Sequence, residues 1–497
     1  MDQQRRFKKR YVALAAILLL AALLGSVVWR AVTAAPGPLI DYHQKMYDLS
    51  VQLQPAGPDE WPVFEGALAK ARGAQAAIQA AEQAAGVENA DGGRLPWELR
   101  DLPTDAVHSA GSGDPEEFAA LQARGREWLE SFAAAGLFEQ TARLPAAQTA
   151  VRPLTAGPLL DVRLPYLGEA RGLARIQAAR MHMAAERGDW ADYTAAVEEL
   201  LAMARIIASQ TTLIDYLVGT AIESLALAEV RKDLAAGLID DPAAIDRLLA
   251  AIDRQQLPTS AHALEAERMF TLDVIQRVYT DNGKGDGRLI LTEVAGHPVL
   301  GPSLSSPGIA KYGISNAAGF VFPSRARTVA DLNRLFDPLI ADAGTPAYLR
   351  TSEFSADHFV ESFPRLQLVL RAFAPALGGF RQTADDARTI AAGTRLLLRL
   401  ERHRLRTGAA PASLADLAAA DPAADLIDPM TGEPFLYARL TDDPHGRPYL
   451  LYAAGADGRD DGGIEAEKGP AEQAFRRGRP GTDYVLNPPP QQPDWDE

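Results

Sequence analysis

Three carboxylates within five positions, Asp457, Asp460 and Asp461, stand among four glycines: Gly455, Gly458, Gly462 and Gly463. Carboxylates this close repel one another unless water or a cation separates them, and glycines let the backbone curl so that carbonyl oxygens complete a shell. Calcium takes about six to eight hard oxygen ligands. It is therefore the candidate occupant, with a plain charged turn as the competing reading. A second acidic loop runs from Asp281 to Glu293. Counted from Asn282 as the first position, Asp286, Gly287, Leu289 and Glu293 fall where an EF-hand loop places its fifth, sixth, eighth and twelfth residues. Lys284 puts a cation where a ligand belongs, so Asn282, Asp286 and Glu293 form either a weak calcium site or a glycine-rich surface turn.

Catalytic patterns are missing from the sequence. There is no His-Glu-x-x-His, no Gly-x-Ser-x-Gly and no glycine-rich phosphate loop ahead of a Lys-Ser or Lys-Thr pair. The histidines are scattered, and Asp357-His358, the one adjacent acid–imidazole pair, reads as a surface loop. Met181, Met183 and Met203 recur at helical spacing and read as core filling. No catalytic or cofactor-binding residue is assigned, and the chain is not expected to be an enzyme.

The elements that must position the C-terminal loop are legible. An apolar stripe of Ile390, Leu396, Leu397, Leu400 and Leu405 predicts a long helix over 385–406, with Gly408 as its C-cap. Ser413 and Asp416 form a capping pair for a short helix. Asp428-Pro429 through Tyr437 reads as a turn and strand, and Tyr449 to Ala453 as its antiparallel partner. Phe435, Leu436, Tyr437, Leu451 and Tyr452 are expected to pack on the long helix.

This order resembles the soluble domain of the major pseudopilin of type II secretion systems, over about residues 384–486. The residues that carry the likeness are the long helix, the step from Gly408 to Pro411, Ser413-Leu414 with Leu417, the turn Asp428-Pro429 with Gly432 and Pro434, and the run Leu451-Tyr452 with Gly455, Asp457 and Gly458. The resemblance implies a calcium ion in the acidic loop, with Asp457, Asp460 and Asp461 as side-chain ligands. The N-terminus departs from that family. Arg10, not glycine, precedes the apolar segment, and no acid lies between Tyr11 and Trp29, so a polymerising pilin is not expected.

Ahead of this module the sequence is helical. Periodic apolar residues predict helices over 167–187, 191–209 and 212–236, and a fourth after the Asp240-Asp241-Pro242 cap. The Gly188-Asp189-Trp190 turn faintly resembles a tetratricopeptide hairpin, but Tyr193 stands where that repeat wants alanine. The expected fold is mainly α: a transmembrane helix over 11–29, a linker over 30–40, a helical-hairpin ectodomain over 41–383 that is loop-rich over 281–330, and an α+β module over 384–486 with an antiparallel sheet. Residues 487–497 are proline-rich and acidic and are expected to be a disordered tail.

The address comes from the first thirty residues. Arg5, Arg6, Lys8, Lys9 and Arg10 precede an uncharged apolar run from Tyr11 to Trp29. Nineteen helical residues span about 28 Å, near the hydrocarbon thickness of a bilayer. The basic cluster holds residues 1–10 in the cytoplasm and sends the remainder across the inner membrane into the periplasm. A signal peptide cleaved near Ala35 is the alternative. A net charge of −15 over 497 residues argues against nucleic acid, and the lack of cysteine excludes disulfides, thiolate metal sites and lipoprotein anchoring. The reading is a membrane-anchored bacterial scaffold or interaction protein with protein partners not identified by the sequence. The alternatives are a component of a type II secretion or pilus-like apparatus, and an exported hydrolase with an unrecognised site.

Overall fold

The computed structural model describes residues 19–26, 36–37, 39–54, 58–84, 115–153, 158–297, 299–302, 316–350, 361–373, 375–455, 458–464 and 482–487. It is mainly helical, with one small antiparallel sheet. Among the described residues beyond 36 the chain begins with α1 (Tyr42–Leu53), α2 (Trp61–Ala84), α3 (Pro115–Ala134) and the short α4 (Leu137–Thr141). The expected hairpins follow as α5 (Tyr166–Glu186), α6 (Trp190–Ala208), α7 (Leu213–Ala235) and α8 (Pro242–Arg254).

Local chemistry sets their ends. Gly188 turns out of α5 with φ +65°, a conformation that side chains oppose, and Asp189 caps α6 by accepting from the Asp192 amide at 3.1 Å. Thr212 and Asp215 form a reciprocal capping box on α7. Pro242 opens α8 behind its cap, Asp241. The stripe of Val197, Leu200, Leu201, Ala204 and Ile207 is buried throughout. α6 and α7 approach closely because Gly219 has no side chain; a Cβ there would stand 2.6 Å from the Ala204 carbonyl oxygen.

A second core forms around α9 (Ala261–Val278), α10 (Leu291–Gly296), α11 (Arg325–Asp342) and α12 (Leu368–Phe373), from residues such as Val274, Ile275, Leu335 and Phe336. The chain then enters α13 (Pro375–Thr407), followed by α14 (Leu414–Ala420). The expected module boundary at residue 384 falls inside α13. Leu377 and Phe380 join the second core, Ile390, Ala391 and Leu398 join the hairpin core, and Leu396, Leu397 and Leu400 lie under the sheet. One helix thus fuses the C-terminal module to the helical body.

The sheet has the order β1 (Leu436–Arg439), β2 (Tyr449–Ala453), β3 (Tyr484–Val485), antiparallel throughout, with Leu436 opposite Tyr452 and Tyr452 opposite Val485. β3 has no counterpart in the expected hairpin. The packing also differs in detail. Phe435, Leu451 and Tyr452 are buried as expected, but Leu436 and Tyr437 are half-buried, and Tyr449 is the fully covered aromatic. Tyr449 lies on the helix side of the sheet and donates to Glu401 of α13 at 2.5 Å.

Of the expected membrane span 11–29, residues 19–26 are helical with exposed leucines; the other residues of that span lie outside the described residues. No helix among the described residues is long and apolar enough to cross a membrane. Residues 1–10 and 488–497 also fall outside the description.

Candidate metal site

The acidic loop leaves the end of β2 and returns to β3. Gly455 is pressed against the returning strand: a Cβ on it would stand 1.9 Å from the Thr482 carbonyl oxygen. Asp460 Oδ1 accepts from the Tyr452 hydroxyl at 3.0 Å and from the Gly462 amide at 2.9 Å. Burial, reinforced by the Asp460 hydrogen bond, pushes the Tyr452 phenol up to about 12, so it remains a donor at neutral pH. Asp460 and Asp461 both lie in this loop. Asp457 lies outside the described residues.

The structure adds a carboxylate that sequence reasoning missed. Asp483, immediately ahead of β3, is 2% exposed. Its Oδ2 accepts from the amides of Asp461, at 3.0 Å, and Gly463, at 2.8 Å. Its Oδ1 is buried with no hydrogen-bond partner among the described residues. A buried carboxylate oxygen left unpaired is costly, and a cation beside it removes that cost. The only signal in the sequence is an acid directly before a short apolar strand, which is uninformative until β3 pairs with β2. No group of three or more acidic or histidine side chains among the described residues is arranged to hold a metal ion. Asp460, Asp461 and Asp483 lie in one loop without forming such a group; their carboxylate oxygens are hard donors of the kind calcium takes.

The second acidic loop is built differently. Asn282 Oδ1 accepts from the amides of Lys284 and Asp286, and Asp286 Oδ1 accepts from those of Gly287 and Ala326. These backbone bonds hold Asp286 below its usual range, the Ala326 amide foremost. Glu293 sits exposed in the first turn of α10. Asn282 and Asp286 thus close a turn, bridged at Tyr279 and Leu289, and dock it on α11; the three expected ligands are not gathered around one point.

A buried cluster in the hairpins has the outward order of a catalytic relay. The Tyr193 hydroxyl donates to Asp233 at 2.9 Å, Asp233 lies 3.1 Å from His182 Nδ1, and Glu186 is 3.5 Å from His182 Nε2. Burial works against charge on His182, yet hydrogen bonds to Asp233 and Glu186 overcome it and hold the imidazolium up at about 10. Tyr193 is fully buried, and burial beside Asp233 keeps its hydroxyl protonated. With its tyrosine fully buried and a histidine that stays charged, the cluster locks α5, α6 and α7 together. It also explains the tyrosine where a tetratricopeptide hairpin would carry alanine: the hydroxyl satisfies Asp233.

No family model, curated protein or solved structure matches this chain.

Proposed function

We propose that this chain is a single-pass, membrane-anchored extracytoplasmic scaffold or interaction protein of a bacterium, whose C-terminal α+β module is closed by a calcium ion. The apolar run from Tyr11 to Trp29 behind its basic cluster supports the anchor and the orientation, with the N-terminus in the cytoplasm. The sharing of α13 among three cores supports a rigid body rather than a hinged appendage. The observation that carries the calcium reading is the buried, unpartnered Oδ1 of Asp483 beside the Asp460–Asp461 loop.

Calcium bound only to the folded protein stabilises it by about 2.7 kcal/mol at a hundredfold excess over Kd. The full-length protein in detergent is expected to melt at a higher temperature in calcium than in chelator. Asp460→Ala combined with Asp483→Asn should abolish the shift; the asparagine keeps an acceptor for the two amides while removing the charge. Equal melting of the unsubstituted protein in calcium and in chelator would mean that the loop is a solvated turn. A second reading, a component of a type II secretion or pilus-like apparatus, rests on the ordered motifs from Gly408 to Gly458. Co-purification of secretion proteins from solubilised membranes would favour it.

A further inference from the structure

Gly37 and Ile40, a few residues beyond the proposed anchor, are held against the fold. Gly37 lies hard against the loop after α9, where a Cβ would meet Asp281 Cβ at 2.2 Å. The Ile40 amide donates to Gln276 Oε1 at 2.7 Å, and Gln276 Nε2 donates back to the Ile40 carbonyl at 2.9 Å. Gln276 is 1% exposed, so this two-point clamp grips the chain from the interior of the fold. The distance from Trp29 to Gly37 is eight residues, which span at most about 28 Å even when fully extended.

Exposed apolar side chains lie close to the clamp. Leu39 and Ile40 flank the clamp at 51% and 43% exposure, and Phe320 and Val321 reach 54% and 47%. The two groups are joined by short links. Asp281, which touches Gly37, pairs with Arg325; the Arg325 amide donates to the Gly287 carbonyl at 3.0 Å; and Arg288 lies over the Phe320 ring at 4.8 Å. Beside Arg325 opens a cleft of about 420 Å³ lined also by Tyr42, Leu272 and Val329. The loop's own carboxylates face inward, Asp281 toward Arg325 and Asp286 toward backbone amides, while Lys284 is exposed at the tip. Aromatic and aliphatic side chains beside an exposed lysine are what a phospholipid surface accepts, the apolar groups entering the headgroup boundary and the lysine meeting anionic lipids.

We propose that this face, built from Leu39, Ile40, Lys284, Phe320 and Val321, rests on the outer headgroup layer of the membrane that holds residues 11–29. The ectodomain then stands in a fixed orientation with its C-terminal module directed away from the bilayer. The proposal rests on the anchor reading above. α13 starts two residues after Phe373, which stacks on Phe270 of α9 at 6.1 Å. Its 33 residues carry Thr407 about 50 Å further along the helix axis.

The chain has no cysteine, so single introduced thiols can be labelled without background. Full-length Phe320→Cys, Leu39→Cys and Thr407→Cys variants would carry an environment-sensitive fluorophore and be placed in nanodiscs of phosphatidylethanolamine and phosphatidylglycerol, with and without a headgroup-proximal nitroxide lipid. The labels at 320 and 39 are expected to shift to the blue and to be quenched severalfold more than the label at 407. Quenching at 320 no greater than at 407, in protein inserted in the discs, overturns the proposal while leaving the anchor intact. Quenching at 39 alone has the same meaning, because Leu39 is held near the bilayer by chain length in any case. Protein that fails to enter the discs at all overturns the anchor reading, and this proposal with it.

Discussion

Asp385→Ala is expected to destabilise the protein by about 3–5 kcal/mol, the cost of stranding a buried charge. Asp385 receives both terminal nitrogens of Arg350, at 2.7 and 2.6 Å, and the two side chains are 10% and 7% exposed. The pair ties the segment after α11 to α13. Arg350 Nε and Arg388 Nη1 both donate to the Thr345 carbonyl, at 3.0 and 3.3 Å, and Arg388 also bonds the Ala343 carbonyl. Removing Asp385 leaves Arg350 desolvated, with Arg381 and Arg388 nearby and Asp342 engaged with Arg381. Burial and Arg350 already press the Arg381 pKa downward. The paired substitution Arg350→Met with Asp385→Leu should recover most of the loss, since no lone charge is left behind. Denaturant unfolding of the two variants checks this, and a loss below about 1 kcal/mol for Asp385→Ala would place the pair in the weak class of exposed salt bridges.

Stability is also expected to fall as pH rises from about 4.5 to about 7, through Glu223. This carboxyl is buried on α7, and desolvation lifts it from its ordinary 4.5 to about 7, with Arg395 of α13 only partly opposing the shift. Arg395 is itself engaged with Asp253 at 3.0 Å. The raised value means that the folded protein holds the proton which the unfolded chain releases above pH 4.5. The benefit is complete below that pH and is lost through 7, where the gap corresponds to about 3 kcal/mol. Glu223→Gln keeps the shape without the charge. It should match the unsubstituted protein near pH 4.5 and exceed its stability by about that amount at pH 8. Glu267, lifted by burial to about 7, contributes in the same direction, so the difference between variant and parent at each pH isolates Glu223. An equal difference at both pH values would show that Glu223 does not titrate in this window.

The hairpin helices were legible because their information is local. Thr212 with Asp215, Asp241 with Pro242, and Asp189 behind Gly188 mark ends that the structure reproduces within a residue or two. The start of α13 was not. Pro375, Gly378 and Gly379 look like breakers, yet the helix runs through them because Leu377 and Phe380 are buried in the second core. Tertiary burial overrides local preference there. The turn from Asp428 to Gly432 was legible: Asp428 Oδ1 accepts from the Met430 amide and Thr389 hydroxyl, and Gly432 takes φ +77° beneath the Tyr348 ring. In the candidate metal site, Asp460 and Asp461 could be read from their glycine-rich setting. Asp483 could not, because it meets them only through the β2–β3 pairing, 22 residues along the chain from Asp461.

The central claim is that the chain is anchored by residues 11–29 with its body outside the cytoplasm. Protease added to intact spheroplasts carrying the protein tests it most directly. The account predicts digestion of nearly the whole chain to a short membrane-held stub bearing the N-terminus. Full protection of the body would contradict the orientation, and recovery of a soluble protein beginning near Ala35 would contradict the anchor.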